Sequence, residues 1–221
     1  MPTPVLSFVQ YIVRTQTRMR DEDHAAHRFV QAVNGTHVSP RTDKIPFPSG
    51  EWAMNSSNKS EVFDRFAAWA LPSIHDCFSD QPYVLVPIPS SSRTVASQQE
   101  DDGPLQLANA LSRLSRDRLV VANVLRWRVA PTPSSRGGSR RPDDIYPNLR
   151  HVDSTPVYGM PAIVIDDVMT GGGHIKAAKV VLGQHGANVA GAVVVGRTTD
   201  TQEDTPFAPV LRYVDDWSPS N

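Results

Sequence analysis

Residues 162–181 read AIVIDDVMTGGGHIKAAKVV. The four apolar residues Ala162 to Ile165 suit a buried strand, and Ile175 to Leu182 has helical spacing. Between them stand two adjacent aspartates, Asp166 and Asp167, and then Thr170-Gly171-Gly172-Gly173-His174. Glycines let a backbone approach a ligand closely and turn its N–H groups inward. The helix that begins after them adds the positive end of its dipole, which favours a phosphate monoester. The Thr170 hydroxyl supplies a further donor. The aspartates lie just upstream, where acceptors would meet the hydroxyls of a sugar whose phosphate sits in the loop. Carboxylates there also suit a hydrated, oxygen-seeking metal ion. A dinucleotide-binding loop competes for this pattern, but it needs G-x-G-x-x-G with its acidic residue after the next strand. Here the acids precede the glycines.

Working outward, strands and helices alternate. Tyr83 to Ile88 and Val189 to Val195 read as buried strands, as does Leu119 to Leu125. Leu107, Ala108, Leu111 and Leu114 form a helical stripe entered through Gly103-Pro104, where proline suits a first helical turn. This alternation predicts parallel pairing, with ligands bound beyond the carboxyl ends of the strands. The loops after Ile88, Leu125 and Ile165 are therefore the candidate site. Upstream, Leu6, Val9 and Val13 recur at helical spacing, and Ala25, Phe29 and Val33 continue a second helical face. Residues 37–57, HVSPRTDKIPFPSGEWAMNSS, read as a long loop. Asn58, three residues before Glu61, marks a helix start; Val62, Phe63, Phe66, Trp69 and Ala70 share one face, and Pro72 marks the stop. The predicted organisation is a mainly helical N-terminal hood over 1–80, an α/β core over 81–200 and a tail over 201–221. A mobile loop is expected within the core at 126–150, where no apolar period is visible.

At 221 residues the chain can bury one good core. A formal net charge of −1 gives no general attraction to nucleic acid or to an acidic membrane surface, so phosphate recognition must be local. Cys77 is the only cysteine, which excludes an internal disulfide and a cysteine zinc site; its SIHDCF surroundings predict a buried thiol. His24 and His27 follow Asp21-Glu22-Asp23 and read as a solvated helical face rather than a metal pair. The opening MPTPVLSFVQYIVRTQ lacks a basic leader and a small-residue cleavage site, so no signal peptide and a cytoplasmic location are expected.

The acidic pair and its loop resemble the signature of type I phosphoribosyltransferases, in which a hydrophobic strand leads to two acidic residues and a Thr-Thr-Gly-x-Thr loop. Asp166, Asp167, Thr170 and Gly172 match; Gly171 and His174 stand where threonines are usual. The resemblance implies a parallel-sheet phosphoribosyltransferase core that uses 5-phosphoribosyl-1-pyrophosphate and magnesium (Mg2+), with no metal ligand directly assigned. Thr170, Gly171, Gly172, Gly173 and His174 would hold the 5-phosphate. Asp166 and Asp167 would hold ribose hydroxyls. Ser90, Ser91, Ser92 and Arg93, in YVLVPIPSSSRT, match the pyrophosphate loop. Arg126 and Arg128 fall where the family places basic residues against pyrophosphate, and Arg136, Arg140 and Arg141 belong to the loop that closes over the site. The Val-Pro-Ile-Pro run and LQLANAL look like the ComF-type branch, associated with DNA uptake, although VASQQEDDG lacks that branch's Arg-Gly-Phe-Asn-Gln stretch. The implied function is ribosylation of a nitrogenous base or related acceptor with release of pyrophosphate, by a homodimer without membrane or nucleic-acid partners. A non-catalytic ribose-phosphate-binding regulator and a ComF-like nucleic-acid-associated protein are the alternatives.

Overall fold

The computed structural model describes residues 1–12, 18–35, 42–47, 49–79, 81–97, 102–116, 118–133, 136–152, 157 and 159–219. In chain order its first elements are β1 (Thr3–Ile12), α1 (Asp21–Val33), β2 (Asp43–Phe47), β3 (Gly50–Met54), α2 (Val62–Phe78), β4 (Tyr83–Pro87) and α3 (Gly103–Leu114). There follow β5 (Leu119–Val121), β6 (Leu125–Trp127), α4 (Pro142–Ile145), β7 (Leu149–His151), β8 (Pro161–Met169), α5 (Gly173–Gln184), β9 (Asn188–Thr199) and β10 (Phe207–Val214). Six strands form one mixed α/β sheet in the order β10-β1-β9-β8-β4-β5, parallel throughout except for β10. Among the described residues no helix is long and apolar enough to cross a membrane.

The continuous apolar runs of the inner strands follow from burial on both faces. Side chains alternate across a strand. Leu85, Ile163, Ile165, Val193 and Val195 therefore pack with α1, α2, α3 and the β2–β3 hairpin. Val84, Val86, Ala162, Val164, Ala192 and Val194 pack with α5, Trp127, Ile145 and Leu149 on the other face. From β4 the chain steps through α3 to the edge strand β5, then returns to β8 on the opposite side of β4. The carboxyl ends of β4 and β8 thus flank the point where the winding reverses, the usual place for a ligand crevice.

Several expectations are corrected. Leu6 and Val9 belong to a strand, β1, inserted between β9 and β10; Val13 lies outside the described residues. Spacing of three and four residues misled there because both faces of β1 are buried, so apolar residues recur without strict alternation. The C-terminal stretch supplies β10, which pairs with β1 from Thr3↔Val214 to Val9↔Phe207. Residues 43–54 form a hairpin rather than a loop, with Ile45, Phe47, Trp52 and Met54 buried on one side. Helix α2 runs through Pro72 to Phe78. Asn58 does mark the start, at the N-cap of a 3-10 turn, Lys59–Glu61, that leads straight into α2, but it makes no side-chain cap: its side chain accepts from Asn55 N–H and donates to the Ala53 carbonyl, closing the turn after β3. Cys77 is exposed. The ends of the 126–150 stretch pair as the β6–β7 hairpin, with Arg126 opposite Arg150, and Trp127, Ile145 and Leu149 are buried. Their spacing carries no local period because each anchors a different turn of chain.

The docking of the N-terminal strand is open to test at Gly191 in β9. A Cβ there would run into the Phe78 ring of α2 and would lie 2.8 Å from the Pro4 carbonyl of β1. Gly191→Ala should therefore lower stability in urea denaturation by about 1–3 kcal/mol, the usual cost of overpacking. An unchanged midpoint would mean that β1 and α2 do not close on β9 in this way.

Candidate functional site

Strand β8 extends to Met169, so Asp166 and Asp167 are strand residues and point to opposite faces of the sheet. Asp166 continues the face of Ala162 and Val164. Its Oδ2 lies 3.6 Å from Nδ1 of His174, in the first turn of α5, and its Oδ1 accepts the Asp167 N–H at 2.9 Å. Asp167 turns toward α1. With the Asn34 amide oriented nitrogen-inward, that residue donates to Asp167 Oδ2 at 2.8 Å and to the Val30 carbonyl at 3.2 Å. Asn34 and Tyr11 were not foreseen from sequence, where a lone asparagine after a helix reads only as a cap.

Electrostatics bind this group together. Burial, then the charge and hydrogen bond of Asp166, push the Asp167 carboxyl up to about 8. Burial opposes charge on His174, but the Asp166 hydrogen bond and the charges of both aspartates outweigh it, and the imidazole is raised. Tyr11, at the end of β1, is pushed up to about 12 by burial and then by Asp167. The charge of Arg140, an exposed residue whose carbonyl packs at Gly173, opposes the shifts of both His174 and Tyr11.

The loop between β8 and α5 has a definite local logic. Gly172 adopts φ +72, a left-handed conformation that glycine takes without strain, and Lys176 N–H donates to its carbonyl at 2.9 Å as the first helical bond. The N–H groups of Gly173, His174 and Ile175 precede that bond and have no acceptor within the helix. A Cβ at Gly173 would run into the Arg140 carbonyl, so this glycine serves the packing of the 136–148 segment onto the loop. Gly171 and Thr170 are exposed.

Trp127 joins this loop to the one after β4. Its indole N–H donates to the Pro89 carbonyl at 2.9 Å, its backbone N–H to the Arg93 carbonyl at 3.0 Å, and its ring lies 5.8 Å from that of His174. Ser90, Ser91 and Ser92 are at least partly accessible, with Ser90 and Ser92 hydroxyls 3.1 Å apart. Arg93 is not accessible, which corrects its expected role as a direct pyrophosphate contact: it is 0 % exposed and turned to Asp102 at 3.3 Å. Asp102 caps α3 through Leu105 N–H at 2.9 Å and also accepts Ser90 N–H at 3.0 Å, so the pair fixes the serine loop from within.

The remaining arginines divide. Arg126 Nη1 donates to the Asn123 carbonyl, the Asn123 side chain and the Leu125 carbonyl at 3.0, 3.0 and 2.8 Å. Arg128, Arg136 and Arg141 are exposed. Of the arginines expected at the site, Arg140 is the one whose charge bears on the Asp166–Asp167–His174 group.

No protein-family model matches the chain, and no curated protein matches it. Among solved structures it is similar to an adenine phosphoribosyltransferase at 15 % identity and a TM-score of 0.42, covering 76 % of this chain and 89 % of that one. It is also similar to adenine phosphoribosyltransferase from Saccharomyces cerevisiae, complexed with an imino-altritol bisphosphate and adenine (16 % identity, TM-score 0.38, 77 % and 89 % covered). A hypoxanthine phosphoribosyltransferase from Staphylococcus aureus gives 12 % identity and a TM-score of 0.36, covering 64 % of this chain and 69 % of that one.

The raised Asp167 carboxyl makes stability depend on pH. Its folded value of about 8 exceeds the unfolded aspartate value, so the native state holds that proton more tightly. The resulting stabilisation is complete below about pH 4 and is lost as pH rises through the folded value. Asp167→Asn mimics the protonated carboxyl. Thermal melts should show the variant gaining most over the parent near pH 9 and little near pH 4. Parallel profiles for the two proteins would place Asp167 in an ordinary environment.

Proposed function

We propose that this chain is a phosphoribosyltransferase-type protein that binds 5-phosphoribosyl-1-pyrophosphate at the carboxyl ends of β4 and β8. The observation that carries the reading is the Asp166–Asp167 pair, placed one strand-end away from the N–H groups that open α5. Those N–H groups with the Thr170 hydroxyl would hold the 5-phosphate, and the aspartates would accept from the ribose hydroxyls. Ser90, Ser91 and Ser92 would meet the pyrophosphate, on a loop that Asp102 and Arg93 hold in shape.

Magnesium fits this donor set in one way. The described residues hold no cluster of three or more metal-ligating side chains, so the ion would arrive on the phosphate oxygens of the donor, with a carboxylate of the pair at most completing its shell. It would supply charge neutralisation on the departing pyrophosphate. The chain's own contribution is positioning: Arg140 and the 136–148 segment would cover the reacting centre and exclude water. The acceptor nitrogen would bond to the anomeric carbon as the bond to pyrophosphate breaks.

A second reading, a regulator that binds the sugar phosphate without turnover, draws on a specific feature. Of the arginines expected to meet the pyrophosphate, Arg93 is buried against Asp102 and Arg126 is engaged in internal hydrogen bonds.

Calorimetry with the donor and magnesium, followed by a pyrophosphate-release assay over a panel of nitrogenous bases, separates these readings. The parent protein should bind the donor. Replacing both aspartates with asparagine should cost about 1.5–3 kcal/mol, the charge-assisted bond of Asp166, because Asp167→Asn mimics a carboxyl already protonated at neutral pH. Binding with release marks the enzyme, and binding without release against any base marks the regulator. Unchanged donor affinity in the double variant would remove the pair from the site and the proposal with it.

A further inference from the structure

A second cavity of about 650 Å³ opens beside the β8–α5 loop, between the end of β9 and the edge strand β10. Thr170 and Gly171 form one wall, but Asp166, Asp167, Gly173 and His174 do not line it. Three cationic residues line it: Lys176 from the first turn of α5, Arg197 from β9 and Arg212 from β10. Arg197 sits beside Met169 in the sheet register, which fixes its backbone at the edge of the loop.

Arg197 is incompletely partnered. Its side chain is 20 % exposed, Nη2 meets Glu203 only at 3.5 Å, and Nε is buried without an acceptor among the described residues. Burial and then the charge of Arg212 hold the Arg197 guanidinium below its ordinary range, with Glu203 pulling the other way. Among the described residues Lys176 and Arg212 make no ion pair and Arg197 makes only the long one with Glu203, so three cationic residues around one cavity leave a place for an anion. Guanidinium forks match phosphate oxygens well. Asp200, Glu203 and Asp215 also line the cavity, and their charge disfavours an extended polyanion while leaving room for a compact one.

We propose that the Lys176–Arg197–Arg212 cavity is a second anion site, separate from the carboxylate pair, that binds a single phosphate group, either free phosphate or the head of a phosphate monoester. Tyr213, 66 % exposed on the same wall, offers a ring face to the rest of a monoester. The site shares the Thr170–Gly171 wall with the proposed 5-phosphate cradle, while its three cationic residues lie outside that cradle.

Inorganic phosphate and, separately, phenyl phosphate should be titrated at constant ionic strength into 15N-labelled protein. Amides of residues 197–201 and 212–214 should shift saturably, and phenyl phosphate should bind more tightly if a monoester is the natural ligand. Equal response to both marks free phosphate as the ligand. Arg197→Gln and Arg212→Gln should each weaken the response by about tenfold or more, the loss of one charge-assisted bond. Because Arg212 lies on an edge strand, its variant stays informative should Arg197→Gln fold poorly. Amides of 173–175 report independently on the other cradle. The proposal fails if 197–201 and 212–214 show no saturable shift, or if the same shifts persist undiminished in both folded variants.

Discussion

Two neighbouring carboxylates at the buried end of β8 set the terms for the whole carboxyl edge of the sheet. Strand geometry sends Asp166 and Asp167 to opposite faces, yet their carboxyls remain within one residue of each other, and the charge of Asp166 helps keep the Asp167 carboxyl protonated. Each must then be answered by its own layer. On one face His174 answers Asp166, and Trp127 ties that histidine to the serine loop after β4. On the other, Asn34 at the end of α1 and Tyr11 at the end of β1 close on Asp167. The N-terminal and core segments are coupled through this pair rather than merely stacked.

The core was legible in sequence because both faces of its strands are apolar. Tyr83–Ile88, Ala162–Ile165 and Val189–Val195 announce themselves as apolar runs inside β4, β8 and β9 and the residue that follows β4, and Gly103-Pro104 and the triple glycine mark the helices that follow strands. The first twelve residues failed the same reading because a doubly buried strand and one stripe of a buried helix share spacings of three and four. Residues 43–54 failed for the opposite reason: their strict alternation was masked by prolines, serines and glycines that mark turns. Pro72 misled because a helix packed on both α3 and the sheet can keep its direction through one missing N–H.

At the site, residue types that need a particular backbone were readable and residues that need a particular neighbour were not. Gly172 and the acidic pair carry their geometry in the local chain. Arg93 and Arg126 look like anion ligands in a one-dimensional reading, but three-dimensional packing spends them on Asp102 and on Asn123. Asn34 gives no local signal at all, since its partner lies more than a hundred residues away. The chain's near-zero net charge says nothing of this distribution: Asp166 and Asp167 adjoin at the end of β8, while Lys176, Arg197 and Arg212 line a cavity on the other side of the Thr170–Gly171 wall.

The coupling of the two layers requires that Asp166 and Asp167 share one poorly solvated environment. Titrating the aspartate side-chain carboxyl carbons by 13C NMR, with Asp167→Asn for assignment, addresses this directly. The account predicts a carboxyl at Asp167 with its midpoint near 8 in the ligand-free protein. A simple transition for Asp167 near the ordinary aspartate value of about 4 would contradict it.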